Sequence, residues 1–155
     1  MSDSDVKSRL RAAMTAAMKA REELALGALR QALSEVAVVE TAGNEVVVLS
    51  DEQVLAVVAV EVRKHHETAD AFVTAGRPEQ AARSRAEAAV LEAYLPAALS
   101  DDELQRIIGE EIAAAAADGA EGMKAMGRVV SAVRAKAGPT ADGAKIAAAV
   151  KAALS

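Results

Sequence analysis

Cysteine and tryptophan are absent from this chain, which also has only one phenylalanine and one tyrosine. Without a thiol there are no disulfides, thiolate metal sites or cysteine nucleophiles. Aromatic side chains are the usual mark of strands, so a large sheet is hard to build from this composition. Stacking platforms for unpaired nucleobases are scarce for the same reason.

Long apolar runs are missing too. The longest aliphatic run is VLAVVAV at 54–60, far short of the roughly 20 residues that a membrane span needs. The first ten residues, MSDSDVKSRL, carry acids where a signal peptide carries bases, and no apolar stretch follows. We therefore expect no signal peptide, no membrane segment and a cytoplasmic location.

Motifs for catalysis and for nucleotide phosphates are also lacking. The sequence has no G-x-x-x-x-G-K-[ST] loop and no G-x-S-x-G elbow. His65 and His66 are adjacent, and neighbours on a helix point about 100° apart, so they cannot chelate one metal ion together. We interpret both as residues of a solvated helix face. The sequence predicts no catalytic residue, no metal site and no cofactor.

Alanine dominates the chain, at 40 of its 155 residues. Because alanine is the best helix former, we predict an all-α protein. Two capping boxes, Ser50 with Gln53 and Ser100 with Glu103, mark the starts of the third and fifth helices. The apolar spacing and turn residues predict seven helices, at about 3–20, 21–39, 51–75, 78–95, 101–118, 123–137 and 142–153.

Pro96 divides this helical pattern into two parts. We predict a four-helix N-terminal domain at 1–96 and a small three-helix C-terminal domain at 100–155. Between the second and third helices, EVVVL at 45–49 is typical of a short extended piece, but no obvious strand partner exists for it.

Positive charge collects at the end of the chain. From Met123 onward there are six bases and one acid, a net charge of +5, whereas the preceding 122 residues hold 12 bases and 22 acids, a net charge of −10. Such asymmetry is typical of a tail that meets an anionic partner, although a solvated helical surface docked on an acidic body gives the same pattern. The candidate phosphate-binding residues are Lys124, Arg128, Arg134, Lys136, Lys145 and Lys151.

The loop before the last helix lies among these bases. Gly138 is expected to end the sixth helix in the left-handed conformation, and Thr140 or Asp142 to cap the seventh. The N–H groups at the start of that helix, by Gly143, suit a phosphate, but Asp142 competes for them, so a well-capped turn is the alternative. Lys136 and Lys145 flank the loop. Arg128 and Arg134 lie six residues apart, on different faces, so only one is expected to join them.

Six segments together carry a resemblance to a known family. They are Leu29-Arg30, FVTAGRPE at 72–79, AVLEAYLP at 89–96, SDDEL at 100–104, MKAMGRVV at 123–130 and ADGAKIAAAVKAAL at 141–154. In this order and spacing, the chain resembles the stand-alone YqeY proteins of the GatB/YqeY family from end to end. Its tail is also similar to the C-terminal domain of the GatB subunit of the tRNA-dependent amidotransferase.

The resemblance implies a helical adaptor linked to glutamine-dependent carbon–nitrogen ligase systems. In the amidotransferase, the similar domain helps to hold tRNA, while the glutamine-dependent carbon–nitrogen ligase chemistry resides elsewhere. The implied partners are tRNA and amidotransferase subunits. The family usually has Gly-Arg-Ala-Asp-Gly in the tail loop, where this chain reads GPTADG at 138–143. The sequence leaves open a second reading, a protein–protein module whose acidic N-terminal helices meet a basic partner. An enzyme is the third reading that the sequence leaves open, although it shows none of the residues that ligase chemistry needs.

Overall fold

The computed structural model describes residues 3–97, 99–138 and 141–155, and its regular structure within these ranges is entirely helical. The predicted all-α class is therefore confirmed. The helices are α1 Asp5–Ala20, α2 Glu23–Glu40, α3 Asp51–Thr74, α4 Pro78–Glu92, α5 Asp101–Ala117, α6 Met126–Ala137 and α7 Gly143–Leu154, with a 3₁₀ turn at Gly122–Ala125 before α6. Across the described ranges, none of the helices combines the length and hydropathy of a membrane span.

Local capping sets several of these helix starts. The Ser50 hydroxyl accepts a hydrogen bond from the backbone N–H of Gln53, whose side chain accepts one from Ser50 N in return. Ser100 and Glu103 make the same reciprocal pair. Both predicted capping boxes are confirmed. At α1, Ser4 is the N-cap and binds the N–H of Lys7.

The start of α6 differs from the prediction. The helix was expected from Met123, but residues 122–125 form a 3₁₀ turn and α6 begins at Met126. Within the described part of the chain, no side chain caps this 3₁₀ turn or α6. Without a cap to hold the first turn in α-helical geometry, the tighter turn that is frequent at helix ends precedes α6.

The chain divides into two compact units, one through Leu95 and one from Pro96. The N-terminal unit consists of α1–α4, with α3 and α4 as the most extensively packed pair. Its core is aliphatic and includes Leu10, Val36, Val54, Val58 and Leu91, each of them fully buried. The C-terminal unit consists of α5, the 3₁₀ turn, α6 and α7, around a core that includes Ile108, Val129, Val133, Ile146 and Val150.

In the sequence of α1, Val6, Leu10, Met14 and Met18 recur every four residues, which predicts one apolar face. That prediction is right at the start of the helix and wrong at its end. Leu10 is fully buried, but Met18 is 53 % exposed, and Ala17 is buried in its place. A spacing of four residues advances by about 40° beyond each full helical turn, so a residue three such steps along has rotated off the core-facing side.

His65 does not lie on a solvated face. It is buried, and its Nδ1 lies 3.1 Å from Oε2 of Glu87 on α4. It falls on the buried row of α3 that also holds Val58, Val62 and Ala69. The steps of four, three and four residues from Val58 to Ala69 are the sequence pattern that predicts a buried position for His65. His66 is half-exposed and pairs with Glu92.

Candidate nucleic-acid interface

The six candidate bases all lie in the C-terminal unit and all are exposed. Lys124 is on the 3₁₀ turn, Arg128, Arg134 and Lys136 are on α6, and Lys145 and Lys151 are on α7. They point outward because the apolar residues of the same helices, such as Val133 and Ile146, fill the core.

Three of these bases make ion pairs within the C-terminal unit. Lys136 Nζ lies 2.6 Å from Oε1 of Glu111, and Lys145 Nζ lies 2.9 Å from Oδ1 of Asp101. Arg128 pairs with Asp118. The hydrogen bond from Lys136 to Glu111 also holds the pKa of Lys136 above its usual value. Exposed pairs of this kind contribute little to stability because solvent screens them, so an incoming phosphate can compete for these cations.

The other three bases, Lys124, Arg134 and Lys151, make no ion pair with any side chain in the described part of the chain. Arg134 also has a defined place. Its guanidinium covers the first residue of α7, since a Cβ built on Gly143 would lie 3.3 Å from Arg134 Cζ. Of the two arginines on α6, Arg134 is the one beside the loop.

The six bases form two groups along the unit. The 3₁₀ turn before α6 packs against α7, and α6 and α7 are joined by the loop, so the two helices run in opposite directions. Lys124, Arg128 and Lys151 therefore lie towards the end where α6 begins and α7 finishes. Arg134, Lys136 and Lys145 lie towards the loop.

The carboxylate of Asp142 caps α7. Its Oδ1 accepts hydrogen bonds from Ala144 N at 2.9 Å and from Lys145 N at 3.4 Å. The first N–H groups of α7 are thus already occupied by a side chain of the protein, as in a well-capped turn. A phosphate near this loop would depend on the side chains of Arg134 and Lys145. The expected cap Thr140 and its neighbour Pro139 lie outside the described residues.

Gly138 ends α6 with φ 84° and ψ −178°. The positive φ fits the prediction, but ψ lies far from the left-handed helical value. This combination of angles belongs to a region that is essentially restricted to glycine. The turn therefore depends on residue 138 having no side chain.

We expect Gly138→Ala to lower the free energy of unfolding of the C-terminal unit by about 1–3 kcal/mol, through backbone strain. Gly109→Ala is the matched control. Gly109 lies inside α5, where an added Cβ meets nothing within 4 Å, so alanine there should stabilise by about 0.5–1 kcal/mol. Urea unfolding followed by circular dichroism measures both changes. Equal effects of the same sign would contradict the role given to Gly138.

The acids of α5 offset the basic tail. From Pro96 to the end there are seven bases and eight acids, a net charge of −1. The positive charge is concentrated on the 3₁₀ turn, α6 and α7, and the negative charge on α5 and the turn that follows it. The sequence prediction counted the tail by itself and missed this balance, although the acids of α5 lie within the predicted 100–155 domain.

A small cavity of about 210 Å³ opens beside the loop. Leu99, Leu104, Ala137, Ala141 and Ile146 line it, with Asp142 and Lys145 as its charged residues. A lining this apolar does not suit a phosphate. In the described part of the chain, no three potential ligand side chains are grouped so as to hold a metal ion.

The family of this chain follows from its match to a model of a known protein family. The family model described as Yqey-like protein matches residues 7–154. The chain belongs to the YqeY family. The match extends over both units of this YqeY-like protein and confirms the resemblance to YqeY proteins drawn from its sequence segments. No curated protein matches the chain.

Proposed function

We propose that this YqeY-like protein is a non-catalytic adaptor whose C-terminal unit binds the phosphate backbone of tRNA. The observation that carries the proposal is the presence of Lys124, Arg134 and Lys151 on the 3₁₀ turn, α6 and α7, with no carboxylate partner among the described residues. Cations without partners can contact phosphates without first breaking an ion pair, and each contact releases counterions from the nucleic acid.

The composition of the C-terminal unit favours backbone recognition over base recognition. The only two aromatic residues, Phe72 and Tyr94, precede Pro96, so this unit has no aromatic platform on which a base can stack. Lysine and arginine contacts to phosphates suit folded RNA, whose shape places phosphates at fixed positions. Transfer RNA is the folded RNA that the family resemblance points to.

The same resemblance suggests amidotransferase subunits as protein partners. On this proposal, the YqeY-like protein holds tRNA, and those subunits carry out the glutamine-dependent chemistry in the cytoplasm. Purified protein supplied with glutamine, ATP and mischarged tRNA is then expected to form no amide by itself.

Binding should be weak and dependent on salt. Three phosphate contacts predict a slope of log K against log salt of roughly −2 to −3, and a dissociation constant on the order of micromolar at physiological salt. In the double variant Arg134→Glu/Lys151→Glu the slope should flatten by roughly 1–2, and affinity at low salt should fall about tenfold or more. Fluorescence anisotropy with labelled tRNA over a salt series measures both quantities.

The matched control reverses two exposed bases of the N-terminal unit. Lys19→Glu/Arg30→Glu makes the same change in net charge, but the proposal predicts that it keeps most of the slope. An equal loss from both double variants would show that binding responds to overall charge only. An absence of tRNA binding by the wild-type protein at low salt would overturn the proposal.

A further inference from the structure

A group of exposed valines lies between α2 and α3. Val46 and Val47 are 71 % and 49 % exposed, and Val38 and Val39, near the end of α2, are 57 % and 44 % exposed. Val47 N donates a hydrogen bond to Glu40 O, the last residue of α2, which places Val47 against the end of the helix that carries Val38 and Val39. We call residues 45–49 the valine segment. Exposed large aliphatic side chains concentrated in one region of a surface are typical of an interaction site.

The valine segment has one occupied edge and one open edge. Val47 N donates to Glu40 O at 3.0 Å, and Leu49 N donates to Glu40 Oε2 at 3.2 Å. In an extended chain, successive residues point their backbone groups to opposite sides. The backbone groups of Val46 and Val48 therefore face away from Glu40, and they have no hydrogen-bond partner among the described residues.

The occupied edge is firmly fixed. Glu40 is buried and also binds Lys7, whose Nζ lies 2.7 Å from Glu40 Oε1. The segment is further held by Leu49, which is 4 % exposed and belongs to the core. A segment whose backbone is already held at Val47 and Leu49 loses less conformational entropy when another strand pairs with it.

The surroundings of the open edge are acidic. Val48 lines an open depression together with Asp5 and Asp51, and with Asp3, whose carboxylate is already paired with Lys7 and Arg11. Glu45 begins the valine segment, and Glu52 follows it in the first turn of α3. The N-terminal unit as a whole has 11 bases and 15 acids, a net charge of −4. A partner strand carrying lysine or arginine side chains complements this charge, whereas a second copy of the chain would bring like charges together.

We infer that the valine segment is a docking edge for an extended basic segment of a partner protein. The partner strand pairs with the backbone groups of Val46 and Val48, packs its aliphatic residues on the exposed valines, and directs basic side chains to Asp5 and Asp51. Valine is among the residues most favoured in strands, and strand addition to an open edge is a common mode of peptide recognition. The inference concerns the N-terminal unit and does not depend on RNA binding.

The test uses the full-length protein labelled with ¹⁵N and a capped peptide of alternating lysine and valine, about ten residues long. We expect the hydrogen-exchange rates of the Val46 and Val48 amides to fall to about one tenth of their free-protein values or below when the peptide is bound. The Val47 and Leu49 amides, already bonded to Glu40, should change much less. An alternating glutamate–valine peptide of the same length should not bind.

Two changes separate strand pairing from simple charge attraction. Val46→Pro removes an N–H from the open edge, whereas Val46→Thr keeps it; the proline variant should lose binding and the threonine variant should keep it. Methylating alternate backbone nitrogens of the lysine–valine peptide makes the same test on the wild-type protein, so the result does not depend on the variant folding.

Several outcomes would overturn the inference. They are equal binding by the methylated and unmethylated peptides, equal binding by the lysine and glutamate peptides, and slower exchange only at amides outside the valine segment. A dimer of the unliganded chain in sedimentation that Val46→Pro converts to a monomer would also overturn it, because the occupant would then be a second copy.

Discussion

Ile108→Ala should unfold the C-terminal unit and leave the N-terminal unit folded. Ile108 is fully buried at the centre of the smaller core, on α5. Truncating a buried isoleucine to alanine costs about 2–5 kcal/mol. A three-helix unit this rich in alanine buries little apolar area, so a loss of this size approaches its whole stability. Amide exchange measured by NMR should show fast exchange from α5 to α7 and continued protection in α1–α4.

The matched control is Ile112→Ala, one turn further along α5. Ile112 is only partly buried against the same core, so its truncation should cost less than that of Ile108 and leave α6 and α7 protected. This result tests the domain boundaries predicted at 1–96 and 100–155. A single transition in which both units lose protection together would contradict them.

The second large effect is expected at the buried ion pair between α1 and α2. Lys7 and Glu40 are 6 % and 7 % exposed, and the Glu40 carboxylate also accepts the N–H of Leu49. Glu40→Ala leaves the Lys7 ammonium buried with only Asp3 beside it, at 3.1 Å. Removing one partner of such a pair should lower the free energy of unfolding by about 3–5 kcal/mol.

The stability that Glu40→Ala loses should depend on pH. The hydrogen bond from Lys7 holds the pKa of Glu40 below its usual value, and the bond to Glu40 raises the pKa of Lys7. Because its pKa is lowered in the folded protein, the Glu40 carboxyl stabilises the fold at pH values above 4.5, its pKa in the unfolded chain. This stabilisation is lost as the pH falls through the folded-state pKa. Because its pKa is raised in the folded protein, Lys7 stabilises the fold at pH values below 10.5, its pKa in the unfolded chain. This stabilisation is lost as the pH rises through the folded-state pKa of Lys7.

Urea unfolding of the wild-type protein and Glu40→Ala at pH 7 and at acid pH measures this dependence. The difference between the two proteins should be large at pH 7 and shrink below the lowered pKa of Glu40. The double variant Lys7→Met/Glu40→Leu, which removes both charges, should recover much of the loss. A penalty that is the same at both pH values would contradict the pair as its cause.

The features predicted correctly from the sequence depend on residues that lie only a few positions apart along the chain. Both capping boxes involve residues three positions apart. The predicted break between the third and fourth helices, after residue 75 and before residue 78, agrees with α3 ending at Thr74 and α4 beginning at Pro78. Such signals are read from the local sequence because their physical cause is local. The exposure of Met18 was missed because a four-residue spacing departs from the helical period over several turns.

The candidate site was predicted only in part, because its geometry depends on distant residues. The bases were located by composition, but the ion pairs of Lys136 with Glu111 and Lys145 with Asp101 join positions 25 and 44 residues apart. The contact of Arg134 with Gly143 likewise depends on the packing of α6 against α7. None of these pairings has a sequence signal, and they determine which bases are left without a carboxylate partner.

The central claim, that the C-terminal unit binds the phosphates of tRNA, is tested most directly by NMR of the ¹⁵N-labelled full-length chain titrated with tRNA at low salt. We expect the amide signals around Lys124, Arg134 and Lys151 to shift or broaden, and the changes to diminish as salt is added. The signals of α1–α4 should stay close to their positions in the free protein. Changes confined to α1–α4, or no changes at any tRNA concentration up to the micromolar range, would contradict the claim.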